Sequence, residues 1–126
     1  MKLSVCVDAV YEGENILQAI KKVKKAGIDT IEFWSWEDKD IGALEAYQQK
    51  EGIEISAFCT GFISLLEADE RQRYIESLER TIETAKRLNC RKIITQTGGV
   101  TGTPRKSQHK NLTKWLKACL PYMEKS

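Results

Sequence analysis

Three short stretches decide the fold, and each joins the end of a predicted helix to the start of a predicted strand: KKAGID at 24–29, QKEGIE at 49–54 and KRLNCR at 86–91. In each stretch basic residues precede Gly27, Gly52 or Asn89, and a strand-like run follows. Glycine and asparagine tolerate the left-handed backbone that ends a helix, and basic side chains complement the negative end of the helix dipole. The repeated joint therefore predicts consecutive βα units.

Hydrophobic periodicity places four strands between these helices. Strand-like runs fall near residues 3–8, 30–34, 53–59 and 92–97, and helical spacing falls near 14–26, 40–51, 70–88 and 107–124. Strands that alternate with helices indicate a parallel α/β sheet. We expect one βα-repeat domain over residues 1–126, built as half of a (β/α)8 TIM barrel, with an open doubly wound parallel sheet as the alternative.

Length and charge exclude several classes of protein. The chain has 126 residues, of which 41% are hydrophobic and 30% charged, and its net charge is +2. This charge is too small to indicate nucleic acid or an anionic membrane as the main partner, and no apolar run is long enough for a transmembrane helix. The start, MKLSVCVDAV at residues 1–10, is too short and too acidic for a signal peptide. We therefore predict a cytoplasmic protein with neither nucleic acid nor membrane as a partner.

The end of the chain differs from the earlier joints. YMEKS at residues 122–126 closes the last helix without the glycine or asparagine and the new strand that follow the other helices. A closed eight-stranded barrel also needs about 250 residues. We therefore expect a truncated barrel, natural or experimental, that lacks a complete active site of its own.

In parallel βα folds the ligand lies at the carboxyl ends of the strands, which here are residues 8–11, 34–38, 59–62 and 96–103. Side-chain alternation predicts that one set of strand residues faces the barrel axis: Ser4, Cys6, Glu32, Trp34 and Gln96. A carboxylate such as Glu32 on an inner face is costly unless it is paired or near a ligand. Glu32 is therefore either a substrate contact, or an ion-pair partner of a strand Lys or Arg, or simply exposed.

Other features of the rim carry weaker signals. Trp34 and Trp36 either form an apolar wall for a sugar or polyol or pack at the barrel mouth. The glycine-rich stretch TGGVTGT at 97–103 matches no phosphate-loop pattern, so a flexible loop is the alternative to a phosphate contact. Four cysteines without a CxxC pair, and His109 as the lone histidine, do not predict a zinc site. We expect reduced thiols, and His109 at the start of the last helix.

Four stretches together resemble the sugar isomerase/epimerase family of xylose isomerase-like TIM barrels, closest to hydroxypyruvate isomerase-like proteins: AGIDTIEFW at 26–34, GIEISAFCTG at 52–61, AKRLNCRKIITQTGG at 85–99 and QHKNLTKWLKACLPYMEK at 108–125. The resemblance implies a divalent metal, manganese or magnesium, and proton transfer between adjacent carbons of a hydroxy-carbonyl substrate. It also implies that the metal ligands and catalytic carboxylates come from later strands, so no catalytic or metal residue is assigned here. The substrate contacts that it implies in this chain are Glu32, Trp34, Cys59, Thr60 and Gln96.

Two hypotheses follow from different classes. The chain is the N-terminal half-barrel of a metal-dependent isomerase or epimerase that acts on a small carbohydrate or hydroxy acid, and is inactive alone. Alternatively, it is a non-catalytic binding or assembly module that forms a homo-oligomer through its open barrel face, because bare sheet edges favour pairing.

Overall fold

The computed structural model describes residues 2–99 and 102–124, in which strands alternate with helices. The elements in chain order are β1 (Val5–Cys6), α1 (Val7–Val10), α2 (Ile16–Lys25), β2 (Thr30–Phe33), α3 (Ile41–Glu51), β3 (Glu54–Cys59), a 3-10 turn (Ala68–Glu70), α4 (Arg71–Arg87), β4 (Ile93–Ile94) and α5 (Arg105–Glu124). The strands form one parallel sheet in the order β1-β2-β3-β4. A doubly wound sheet reverses its strand order at a switch point, whereas this sheet keeps chain order throughout. The fold is therefore four consecutive βα units.

The joints that decide the fold have the backbone conformation that the sequence predicts. Gly27, Gly52 and Asn89 have φ angles of +81°, +67° and +47°, which is the left-handed region that ends helices. At the opposite ends, the Asn15 side chain accepts a hydrogen bond from Leu17 N and the Asp40 side chain accepts one from Ala43 N. These caps begin α2 and α3 by satisfying backbone donors that no helical carbonyl can reach.

The main core lies between one face of the sheet and helices α2, α3 and α4. Ile31 and Phe33 of β2 and Phe58 of β3 are fully buried there. The rings of Phe33 and Phe58 stack with their centroids 5.0 Å apart. A second cluster joins α4 to α5 through Tyr74, Leu78 and Trp115. The helices thus cover one face of the sheet, as the predicted alternation of Ile31 and Phe33 requires.

A bulge shifts the register between β2 and β3. Ile31 pairs with Ile55, but Glu32 pairs with Ala57, so Ser56 is an extra residue in β3. The Ser56 hydroxyl donates to Ile31 O at 3.1 Å, which gives the unpaired position a partner on the neighbouring strand.

All four strands are shorter than the sequence predicts, and the first and the fourth differ most. The first strand ends at Cys6 rather than near residue 8, because Val7–Val10 turn into a short helix closed by a bond from Tyr11 N to Val7 O. The fourth covers only Ile93–Ile94 of the predicted 92–97. Part of the glycine-rich stretch, residues 100–101, lies outside the described residues. Among those described, no helix is both long and apolar enough to cross a bilayer.

Candidate functional site

The face of the sheet opposite the helices is defined by cross-strand pairs and is here called the open face: Cys6, Glu32, Ala57, Cys59 and Ile94. Cys6 pairs with Glu32, Glu32 with Ala57, and Cys59 with Ile94. Paired residues of a parallel sheet point to the same side, so these side chains share one surface. Of the residues that the sequence predicts on the barrel axis, these pairs place Cys6 and Glu32 on the open face.

Glu32 is half-buried at the centre of the open face. Within residues 2–99 and 102–124, its carboxylate makes neither an ion pair nor a hydrogen bond. The interpretation of Glu32 as the partner of a strand Lys or Arg is therefore not supported in this part of the chain. A partly buried carboxylate that lacks a hydrogen-bond donor is unfavourable. Its oxygens can therefore accept hydrogen bonds from the hydroxyl groups of a ligand.

Trp34 follows Glu32 by two residues and lies at the carboxyl end of β2, with its side chain 48% exposed. Trp36 is different, because its indole Nε1 donates to Thr81 Oγ1 at 3.0 Å and Arg80 lies over its ring. Trp36 is therefore a packing residue between the rim and α4. Of the two tryptophans, only Trp34 presents an aromatic surface at the rim.

Asp8 in α1 connects the ends of β1 and β2. Its Oδ2 accepts a hydrogen bond from Trp34 N at 2.6 Å, and its Oδ1 lies 3.1 Å from Lys39 Nζ. Lys39 Nζ also lies 3.2 Å from Asp38 Oδ1 and 5.5 Å from the centroid of the Phe33 ring. Since the Lys39 side chain is only 8% exposed, these contacts satisfy an almost buried ammonium. The arrangement holds the backbone of Trp34 in place.

The predicted contact Cys59 lies on the open face and is buried. Burial raises the pKa of its thiol, and the neighbouring Cys6, Asp8 and Glu32 raise it further. The thiolate is the nucleophilic form of cysteine, so Cys59 is suited to packing rather than to covalent chemistry. All four cysteines are free thiols, although Cys6 is only half-buried.

Thr60 and Gln96 are placed differently from the other predicted contacts. Thr60 is buried, and its hydroxyl lies 3.4 Å from Thr95 Oγ1, which in turn lies 2.6 Å from the Tyr74 hydroxyl. The Thr60 side chain is thus directed toward α4. Gln96 is exposed and lines a cavity of about 720 Å³ between the loops after β3 and β4, together with Phe62 and Ser64 among others. The structure therefore groups Glu32, Trp34 and Cys59, and places Thr60 and Gln96 apart from them.

The loop after β3 approaches α4 very closely at Gly61. A Cβ atom built on Gly61 would lie 2.4 Å from Ser77 Oγ. Ser77 is fully buried, and within the described residues its hydroxyl has no hydrogen-bond partner. Only glycine fits at position 61 while Ser77 keeps its place.

Sequence reasoning missed the roles of Asp8, Lys39 and Gly61. Asp8 was inside a predicted rim loop, and a lysine one residue after an aspartate gives no signal of burial. The partners come from separate βα units, so no local pattern reveals them. His109, in contrast, is exposed in α5 near its start, as predicted.

The acidic and thiol side chains of the described residues do not gather into a metal site. No three or more His, Cys, Asp or Glu side chains in residues 2–99 and 102–124 are placed to hold one ion. The open face offers one unpaired carboxylate and a buried neutral thiol, and the rim beside it adds one exposed indole. Such an arrangement can bind and orient a small hydroxylated molecule.

Comparison with known proteins agrees with this fold. The family model described as xylose isomerase-like TIM barrel matches residues 20–126. A search of curated proteins found no match. Solved structures that share the fold are titled AP endonuclease, family 2, from Brucella melitensis, and 3-keto-D-glucoside 4-epimerase, YcjR, from E. coli. The first has a TM-score of 0.88 at 14% identity, covering 98% of this chain and 52% of that one. The second has a TM-score of 0.75 at 15% identity, covering 94% and 50%.

A third solved structure is titled as an IOLI protein with a binding zinc atom. It has a TM-score of 0.70 at 22% identity and covers 98% of this chain and 49% of that one. The chain thus spans about half the length of the solved structures that it matches. Together with the family match, this confirms the prediction of half a TIM barrel.

Proposed function

Because this chain belongs to the xylose isomerase-like TIM barrel family, we propose that its open face forms the substrate-facing rim of a sugar or hydroxy-acid isomerase or epimerase. Such an enzyme moves a proton between adjacent carbons of a hydroxy-carbonyl substrate. The observation that carries the proposal is the unpaired carboxylate of Glu32, two residues before the exposed indole of Trp34. The proposal places this reaction in the cytoplasm and takes hydroxypyruvate and small ketoses as the first substrates to try.

The chemistry of the two side chains supports a polyhydroxylated ligand. A carboxylate accepts hydrogen bonds from hydroxyl groups, and charge-assisted bonds of this type are stronger than neutral ones. An indole face covers the C–H surface of a sugar, because aromatic rings combine a large apolar area with limited flexibility. Asp8 supports this contact indirectly by fixing Trp34 N, and Lys39 fixes Asp8 in turn.

The role of this chain is binding and orientation. The family resemblance implies a divalent metal, and one solved neighbour is titled with zinc, but the described residues of this chain do not form a ligand set for an ion. We therefore derive no step through a metal here. We expect the 126-residue chain alone not to turn over substrate, and a C-terminal half-barrel to restore the reaction.

The proposal is tested by titrating the isotope-labelled chain with D-fructose and with hydroxypyruvate while recording amide and indole NMR signals. We expect the Trp34 indole signal, assigned with Trp34→Phe, to move at millimolar ligand. Glu32→Gln should weaken this binding because it removes the charge and keeps the shape. Glu79→Gln is the matched control, since Glu79 is exposed on α4. If neither ligand moves the Trp34 signal, the proposed substrate class is wrong. If the isolated chain isomerises either compound with manganese present, the expected inactivity is wrong.

A further inference from the structure

The exposed large apolar side chains of the described residues lie at the two edges of the sheet or on its carboxyl rim. Leu3 and Val10 flank β1, and they are here called the β1 edge. The β4 edge comprises Ile94 on the strand and Leu116, Leu120 and Met123 on α5. Leu116, Leu120 and Met123 follow helical spacing, so they form one stripe. Apolar surface is thus exposed at both ends of a sheet whose outer strands each have one bare side.

The β4 edge is also concave. An apolar cavity of about 200 Å³ lies between β4, α4 and α5, and its lining includes Tyr74, Leu78, Ile93, Cys119 and Leu120. Ile93 of β4 and Leu116 and Met123 of α5 line it too, so it lies on the helix-facing side of the outer strand. Val5 of β1 faces the helices, because it pairs with Ile31, and the exposed Leu3 lies two residues before it. Both edges therefore present apolar side chains beside an outer strand.

We infer that the β4 edge of one copy of this chain docks against the β1 edge of a second copy, at two equivalent junctions, so that two chains close one eight-stranded parallel barrel. Each copy supplies four parallel strands in chain order, and each spans about half of the solved barrels that it matches. Eight strands close a barrel whose interior side chains can fill it. A head-to-tail interface between identical chains gives a closed assembly only when the rotation that relates one copy to the next returns to the first copy. Here two copies complete that rotation. The inference rests on the fold and is independent of the proposed substrate, and a C-terminal half-barrel that is added would compete with the second copy for the same two edges.

The closed pair would bury the open faces of both copies in one interior. The Glu32 and Trp34 of each copy would then belong to one shared rim. The bare edges of β1 and β4 would then be paired, since a closed barrel has no edge strands. The exposed apolar stripe on α5 would be covered in the same contact.

The first measurement is the mass of the chain by light scattering over a range of concentrations. We expect twice the chain mass of 14.4 kDa. Leu120→Glu places a carboxylate in one edge, and we expect it to raise the dimer Kd by about 100-fold or more. Lys114→Gln lowers the net charge equally at an exposed site on the opposite side of α5, and it should leave the Kd unchanged. Circular dichroism of each variant checks that it is folded, which is expected because Leu120 is 53% exposed.

A second variant distinguishes this arrangement from one in which two β4 edges meet. Leu3→Glu disrupts only the β1 edge, so it should also give monomers. An equimolar mixture of Leu3→Glu and Leu120→Glu should recover dimers, because one of the two junctions is then made of two unmodified edges. A wild-type chain that stays monomeric overturns the inference. A Leu3→Glu variant that stays dimeric, or a mixture without recovery, overturns the β4-to-β1 docking.

Discussion

Replacing Gly61 by alanine probes how closely the rim loop approaches α4. The new Cβ would lie 2.4 Å from Ser77 Oγ, 3.4 Å from Ser77 Cβ and 3.6 Å from Glu37 Oε1. The last two distances are ordinary contacts, and only the first is an overlap. Ser77 is fully buried, so either its hydroxyl must rotate or the loop and the helix must separate.

The expected cost follows from this single overlap. Overpacking of a filled interior costs about 1–3 kcal/mol, and we expect Gly61→Ala to lower the free energy of unfolding by that amount. Ser77→Ala alone should be neutral or stabilising, because it removes a buried hydroxyl without a partner. Gly61 is not among the glycines with positive φ, so alanine suits its backbone. In the Ser77→Ala variant, Gly61→Ala should therefore raise the free energy of unfolding by about 0.4–1 kcal/mol, because alanine lowers the conformational entropy of the unfolded chain.

The assay is urea denaturation of the wild type, both single variants and the double variant, followed by circular dichroism. We expect a coupling energy of about 1–3 kcal/mol between the two positions and a reversal in the sign of the Gly61→Ala effect. Gly99→Ala is the control, because a Cβ there meets no atom within 4 Å. Equal losses for Gly61→Ala in both backgrounds would refute the overlap with Ser77 as the cause.

Three further measurements test other parts of the structure. Asp8→Ala should lower the free energy of unfolding by about 1.5–3 kcal/mol, since it removes one of the two carboxylate partners of Lys39 and the acceptor of Trp34 N. Asp8→Asn keeps an acceptor and should cost less, and equal losses in urea would contradict the role of that acceptor. Asp40→Ala should cost about 1 kcal/mol by removing the cap of α3, whereas Asp40→Asn should be close to wild type, and thermal unfolding compares them. Finally, burial raises the pKa of four acidic groups, so the unfolded chain releases these protons first as pH rises: Cys59, Tyr74, Cys90 and Cys119. The free energy of unfolding should therefore be highest below the usual thiol pKa of about 8.5 and fall above it. If the free energy of unfolding measured in urea stays constant up to about pH 10, these groups titrate alike in the folded and unfolded states.

The sequence predicts the order of the elements because its signals are local. Basic residues followed by Gly27, Gly52 or Asn89 specify where a helix ends, and the observed φ angles confirm them. The strand ends are less well predicted. Val5 and Val7 alternate as in a strand, yet the chain turns into a helix at Val7. That turn brings Asp8 to Trp34 N, a contact between separate βα units that local spacing does not encode.

The candidate site is predictable only in part for the same reason. Alternation places Glu32 on the open face, because that rule depends on one strand. Whether Glu32 has a partner depends on all the neighbouring elements, and so does the direction of the Thr60 side chain. The buried environment of Lys39 arises from three elements at once, and its sequence context between Asp38 and Asp40 is that of an exposed loop.

The extra residue in β3 sets the phase of everything that follows it. Side chains on a strand alternate with a period of two, so one inserted position exchanges the two faces from that point on. The bulge prevents that exchange by leaving Ser56 out of the pairing, so Phe58 still reaches the buried ring of Phe33 and Cys59 still lies on the open face. Deleting Ser56 would leave Ile55, Ala57 and Phe58 in plain alternation on the faces that they already occupy, whereas straightening the bulge with Ser56 kept in the pairing would turn Phe58 toward the ligand side and Cys59 into the core. When homologous barrels without this bulge are aligned through the strand, they therefore need a one-residue gap at Ser56, and an alignment without that gap assigns the residues on one side of it to the wrong face of the sheet.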